Sequence, residues 1–212
     1  MSNYEKLVEA WRLKFLEMDK ERLLRILPEL SLEGEYFALS HYRRRFGVHS
    51  ATGHIVPLED NAPVSSYTKL NIYTLFGYAT PEARLTGDFV AFADLKDASP
   101  FKRAFDQSIL HPLAQTFSGK EEDFARACER LGGRKLPGSG MKYEVDAFLC
   151  MPVRFLFWDG DEEFPAQANI LFDRSATDFT HVESVVTVAS EGMFYLAEAA
   201  GLELKGSPLF RP

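Results

Sequence analysis

The chain has 212 residues, 46% of them hydrophobic and 26% charged, with a formal net charge of −7. That length and apolar share suffice for one substantial core, and the acidic balance argues against a protein whose main task is gripping nucleic-acid phosphates. The two cysteines, Cys128 and Cys150, form no CxxC pair, which argues against a zinc or iron–sulfur site built by this chain alone. Two lone thiols fit a reducing cytoplasm, and no window reaches the length of a membrane span.

Residues 1–30 read as a helical arm. Ser2 and Glu5 have capping-box spacing, and Leu7, Trp11, Phe15 and Met18 recur as one apolar stripe. A shorter helical pattern through Leu23, Leu24 and Leu27 stops at Pro28. The pattern then turns to strands: Tyr36-Phe37-Ala38-Leu39, Arg45-Phe46-Gly47-Val48, a turn at Ser50-Ala51-Thr52-Gly53, and His54-Ile55-Val56. Arg43-Arg44-Arg45 reads as a solvated strand face with Arg44 opposite its neighbours. Ser65 or Ser66 caps a helix carrying Leu70, Tyr73 and Phe76, and residues 88–92 read as a short strand.

The middle of the chain is helical. Ser99 caps, Pro100 takes the first helical position, and Phe101, Phe105, Ile109, Leu113 and Phe117 follow at intervals of four. Pro112 should kink this helix near Ser108. Ser118 and Glu121 repeat the capping-box spacing ahead of Phe124, Ala127, Cys128 and Leu131, and Gly132-Gly133 ends that helix. Strand-like runs follow at 143–149, 153–157 and 168–172. The last helix opens at Thr180, with Glu183 in capping-box register, and stops before Gly201. Two strand groups separated by helices, without strict alternation, predict an α+β fold: a mostly antiparallel sheet with helices packed against it. The expected organisation is one domain, with a helical arm at 1–30, a core at 31–200 and a loose tail at 201–212.

Chemistry concentrates in Trp158-Asp159-Gly160-Asp161-Glu162-Glu163-Phe164-Pro165. Four carboxylates in five positions repel and raise each other's pKa unless a cation, an arginine or backbone donors compensate. Asp159, Asp161 and Glu163 alternate as at the start of a calcium loop. Phe164, however, stands where that loop needs glycine, and Ile170 where it needs a bidentate glutamate. Two readings remain. One is a looser site for Mg²⁺ or Mn²⁺ on Asp159, Asp161 and Glu163, helped by Asp173 at the far end of the next strand. The other is a hairpin loop that faces water and pairs with Arg154 or Arg174. Trp158 and Phe164 read as anchors of the loop.

Other motifs fall short. His49 and His54 flank a turn as a cross-strand pair without a third metal ligand, and His41, His111 and His181 have no motif around them. Gly133-Arg134-Lys135-Leu136-Pro137-Gly138 has the opening spacing of a phosphate loop, but Ser139-Gly140 stands where Lys-Ser/Thr belongs. Pro137 occupies a glycine position of the nucleophile elbow around Ser139. No nucleophile–base pair is legible.

The order of several segments resembles a prokaryotic family, the domain of unknown function DUF3786. The segments are Leu85-Thr86-Gly87-Asp88-Phe89-Val90-Ala91-Phe92, Ala104-Phe105 with Pro112-Leu113, Leu131-Gly132-Gly133, Phe157 through the tryptophan–acid run to Pro165, and Ile170-Leu171-Phe172-Asp173. The resemblance extends from about Glu35 to Leu196. It implies no activity and no catalytic residues. It implies anaerobic bacteria and archaea as hosts and, because some members are joined to a cysteine-rich iron–sulfur domain, a partner near redox or corrinoid chemistry.

The function expected from these features is a soluble, cytoplasmic binding or accessory protein. Its acidic loop, with Trp158, Asp159, Asp161, Glu162 and Glu163, would meet a metal ion, a cationic ligand or a protein partner such as an iron–sulfur or corrinoid protein, with no nucleic acid and no membrane involved. Two rival readings are a divalent-metal enzyme on the same carboxylates and a structural subunit that oligomerises through its N-terminal helix.

Overall fold

The computed structural model describes residues 3–206. Helix α1 (Asn3–Glu17) buries Trp11 and Phe15, while Leu7 of the same stripe stays exposed; Ser2 lies outside the described residues. Helix α2 (Lys20–Ile26) is capped by the Asp19 carboxylate, which accepts the Arg22 N–H. The Lys20 ammonium donates to the Phe15 and Leu16 carbonyls at 2.7 and 2.5 Å, satisfying orphan acceptors at the end of α1.

Strands β1 (Ser31–Glu33), β2 (Tyr36–His41), β3 (Arg44–His49) and β4 (Ile55–Pro57) form an antiparallel meander. The β2–β3 connection consists of Tyr42 and Arg43 alone, both left-handed, with φ of 47° and 67°. Arg43 therefore belongs to the turn and not to a strand face. Helix α3 (Ser66–Tyr78) is capped by the Ser65 hydroxyl, which accepts the Thr68 N–H at 2.9 Å.

After β5 (Phe89–Ala91), Ser99 and Pro100 open a 3₁₀ turn in place of a side-chain-capped helix. Helix α4 (Lys102–Phe105), a π-helical turn at Asp106–Leu110 and α5 (His111–Phe117) then run on as one rod. The expected kink takes the form of that π turn: Pro112 lacks an N–H and its ring would press on the Ser108 carbonyl, and the widened turn relieves both. Helix α6 (Glu121–Arg130) is not capped by Ser118. Gly119, at φ 73°, turns the chain away first, and Glu121, Glu122 and Asp123 supply charge at the positive end of the helix dipole instead. Gly132, at φ 77°, closes α6 as expected.

Strands β6 (Arg134–Lys135), β7 (Met141–Phe148), β8 (Met151–Trp158) and β9 (Gln167–Asp173) join β5 in a second antiparallel sheet, ordered β5-β9-β8-β7-β6. The short α7 (Ala176–Phe179) leads to α8 (Val182–Ala200), which packs along α3 and α6. Its cap is His181, one residue beyond the expected Thr180, because the His181 Nδ1 accepts the Glu183 N–H. Gly201, at φ 69°, ends it. The fold is α+β, and the two strand groups make two sheets. Cys128 and Cys150 are free and buried. The tail beyond residue 206 lies outside the described residues, and among those described no helix is long and apolar enough to cross a membrane.

Candidate functional site

Four pieces of the chain converge where the two sheets meet α3 and α8. A β-bulge interrupts β7 between Asp146 and Phe148. The carbonyl of Ala147, inside that bulge, accepts the Tyr42 N–H at 2.9 Å and faces His41 Nδ1 at 2.8 Å. A two-residue hairpin turn with both φ positive normally carries glycine or asparagine, since a side chain there clashes with its own backbone. Here Tyr42 and Arg43 hold it, and tertiary contacts hold Tyr42. Tyr42 is wholly buried and donates its hydroxyl to the Val188 carbonyl at 2.9 Å. Helix α8 comes close enough for this because residue 192 is glycine: a Cβ there would stand 2.5 Å from the Tyr42 hydroxyl and 2.6 Å from Phe155.

The strained tip delivers His41. Its ring has no solvent exposure, stacks on Phe148 at 4.4 Å, and meets Glu191 of α8 with Nε2···Oε2 at 2.9 Å. Glu191, 2% exposed, is hydrogen-bonded at both oxygens. Oε2 also accepts from the Asn71 amide at 2.8 Å, and Oε1 accepts from Thr68 at 2.6 Å and Ser65 at 2.8 Å. Burial pushes the Glu191 carboxyl up, but the hydrogen bond and charge of His41 with the Thr68 and Ser65 hydroxyls outweigh it, leaving the group below the usual carboxylate value. An ionised Glu191 requires a proton on Nε2, and Nδ1 faces a carbonyl. The ring is thus held between two oxygens, the Glu191 carboxylate at Nε2 and the Ala147 carbonyl at Nδ1.

A cleft of about 360 Å³ opens from Glu191 between α8 and the loop joining β4 to α3. The Tyr195 hydroxyl stands 3.2 Å from Thr68 and 3.4 Å from Glu191, and burial pushes its pKa up. Arg44 lies over the Tyr195 ring at 4.3 Å and pairs with Glu198; Arg45 pairs with Glu33. Arg43, on the same rim, makes no ion pair among the described residues. Ser65 and Thr68 direct their hydroxyl protons at Glu191, while Ser65 Oγ accepts the Thr68 N–H and Thr68 Oγ1 faces the Tyr195 hydroxyl. The mouth carries the guanidinium groups of Arg43, Arg44 and Arg45 together with the acids Glu59, Asp60 and Glu198.

The acidic loop lies elsewhere and is organised differently. Asp159 accepts the Gly119 and Gly160 N–H groups, each at 2.8 Å, tying the loop to the α5–α6 corner. Asp161 accepts the Phe164 and Glu163 N–H groups at 2.8 Å, and these two bonds hold its carboxyl below the usual value. Glu162 and Glu163 are exposed. Phe164 is 61% exposed, so it does not anchor the loop as expected. Trp158 does: Gly140 passes directly beneath its ring.

Asp173 does not join this group. Six residues of extended β9 separate it from Gln167 at the loop end, about 20 Å. It is buried and accepts from the Thr86 and Gly87 N–H groups, the Ser175 N–H and both hydroxyls. Burial raises its pKa, but the Ser175 and Thr86 bonds win and bring it down to about 2. Arg154 pairs with Glu144 and Arg174 with Asp88, so neither neutralises the loop. Among the described residues no group of three or more His, Cys, Asp or Glu side chains is placed to hold a metal ion. His49 caps its own turn, its Nδ1 accepting the Ala51 and Thr52 N–H groups, and its Nε2 lies 3.7 Å from Glu35.

Sequence reasoning missed His41 and Glu191, although each leaves a trace. His41 continues the inward phase of Phe37 and Leu39 along β2, and Glu191 sits amid the buried residues of α8, between Val188 and Met193. A titratable residue in the apolar phase of its element, twice, was the available signal.

Comparison with curated proteins and with solved structures finds no match. One family does match, "Domain of unknown function (DUF3786)", over residues 26–194; His41, Ser65, Thr68, Asn71 and Glu191 fall inside that stretch, and α1 precedes it. Those 169 of 212 residues carry the segments whose resemblance was noted, and the chain belongs to the DUF3786 family.

Proposed function

We propose that the chain is a small-molecule-binding domain whose ligand enters the cleft above Glu191. The observation that carries this reading is the buried, hydrogen-bonded His41–Glu191 pair at the closed end of an open cleft. A buried pair of titratable groups is seldom more stable than an apolar pair of the same volume. Here it is kept together with a strained hairpin tip, and strain of that kind gathers at functional sites. The Tyr195 hydroxyl beside Glu191 calls for a hydrogen-bonding group at the deep end of the ligand, and Arg43, which makes no ion pair among the described residues, calls for an anionic or acceptor-rich end at the mouth. Hydroxy acids, amino acids and sugar phosphates combine both.

Thermal melting against a panel of these three classes tests the idea. A ligand held at about a hundred times its dissociation constant adds roughly 2.7 kcal/mol. In a chain of this length that raises the midpoint by about 5–10 °C. The rise should shrink in Arg43→Ala and vanish in Glu191→Gln; a panel without effect, or a rise indifferent to both changes, removes the proposal.

A second reading rests on the acidic loop. Exposed Phe164 beside Glu162 and Glu163 suits a partner protein with an apolar, basic patch. Capture of such a partner should fail with Phe164→Ala and weaken with salt.

A further inference from the structure

Toward the C-terminal end of α3 and the N-terminal end of α8 lies a second cavity, of about 510 Å³, lined also by α1 and by the turn leading into α4. We propose that it is a binding site for a neutral, mostly apolar small molecule. Its walls are carbon: Leu7 and Trp11 from α1, Tyr78 from α3, Phe101 and Phe105 from the α4 side, and Val186 from α8. The polar groups deeper in are the hydroxyls of Thr74, Ser184 and Thr187, and the two threonines are engaged. Thr74 donates to the Leu70 carbonyl at 2.7 Å, and Thr187 has the Asn71 Oδ1 at 2.5 Å and the Ser184 carbonyl at 2.9 Å. A charged ligand would meet no counter-charge there and would lose its hydration without compensation.

The charged side chains of this cavity, Lys14 and Glu183, are exposed at its mouth. The Lys14 ammonium lies 4.3 Å over the Trp11 ring, and Glu183 stands beside His181 at 4.0 Å. Single exposed apolar side chains are ordinary on a protein surface. Tyr4, Leu7 and Tyr78, all exposed by two fifths or more, instead gather around this one opening. The volume is that of an ordinary small-molecule site, concave on several sides and lined by aromatic groups with a few hydroxyls. It is distinct from the Glu191 cleft, and one of its walls is α1, the helix that precedes the family match.

Trp11 supplies the readout. The chain has two tryptophans, so Trp158→Phe leaves Trp11 alone. Titration of that variant with N-phenyl-1-naphthylamine, a neutral apolar fluorophore that is dim in water, should give a saturable rise in probe emission with parallel quenching of Trp11. The wild-type protein, read by probe emission, should give the same curve. Ala104→Phe narrows the cavity from an exposed helical position and Leu7→Phe from the opposite wall; each should weaken uptake at least tenfold while the variant melts cooperatively. Three results would overturn the proposal: no saturable uptake, uptake that both fillings leave unchanged, or a dimer that excludes the probe until diluted apart, which would make a second copy the occupant.

Discussion

Glu191 and Glu163 carry the same side chain in opposite circumstances. In the acidic loop four carboxylates stand close in sequence, and two of them, Asp159 and Asp161, accept N–H groups from the loop itself and from its neighbour Gly119. Glu191 has no acidic neighbour in sequence, yet Ser65, Thr68 and Asn71 from capped α3 and His41 from β2 converge on it inside the core. Charge density along a chain announces solvation, whereas a single charge in an apolar phase announces a site. Local crowding is cheap because water screens it; isolated burial persists only when surrounding groups are arranged to hold the charge.

This contrast is open to attack in order of expected effect. Glu191→Ala leaves His41 buried without its partner, and breaking such a pair costs about 3–5 kcal/mol, a fall in melting midpoint of roughly 10 °C or more by calorimetry. Asp173→Asn comes next. Its folded pKa of about 2 lies below that of an unfolded aspartate, so its stabilisation is present above about pH 4 and is lost as pH falls through about 2. It contributes about 2 kcal/mol at neutral pH. Denaturant midpoints measured from pH 6 down to 2 should fall less steeply in the variant than in the parent.

A gain is expected from Arg43→Gly. Relief of the left-handed backbone is worth about 1–2 kcal/mol, against about 0.5–1 kcal/mol for the added freedom of glycine in the unfolded chain. The net is a rise of a few degrees at most, with ligand affinity reduced if Arg43 serves the cleft. The smallest effect belongs to the loop: Glu162→Gln with Glu163→Gln should move the midpoint by less than about 2 °C. A larger loss there would erase the distinction between the two regions.

Much of the fold was legible because its signals are local. Ser65 as a cap, Gly132 and Gly201 as helix ends, and the α5 and α8 stripes lie within a turn or two of the elements they define. The failures were local signals overruled by neighbours. Ser118 and Glu121 have the right spacing, but Gly119 turns the chain between them, and Thr180 yields its cap to His181. The site was not legible as a site. His41 and Glu191 are 150 positions apart, and nothing within reach of either announces the other. The acidic loop drew attention because its members are adjacent, which is also why backbone donors satisfy it so easily.

The Tyr42–Arg43 turn has a kinetic meaning as well. Hairpins whose turn residues favour the left-handed region close early by themselves; this one has neither glycine nor asparagine to help it. The partners that hold Tyr42, which are Ala147 and Val188, lie 105 and 146 residues further along the chain, and Glu191, which holds the adjoining His41, lies 150 beyond that residue. Contacts of that span form late, since the intervening chain must be ordered first. The tip of the first hairpin and the last helix should therefore lock together as one of the final events of folding, and open together in the native state. Amide exchange would then show Tyr42 and the middle of α8 sharing one opening free energy, separate from that of the β7–β8–β9 ladder.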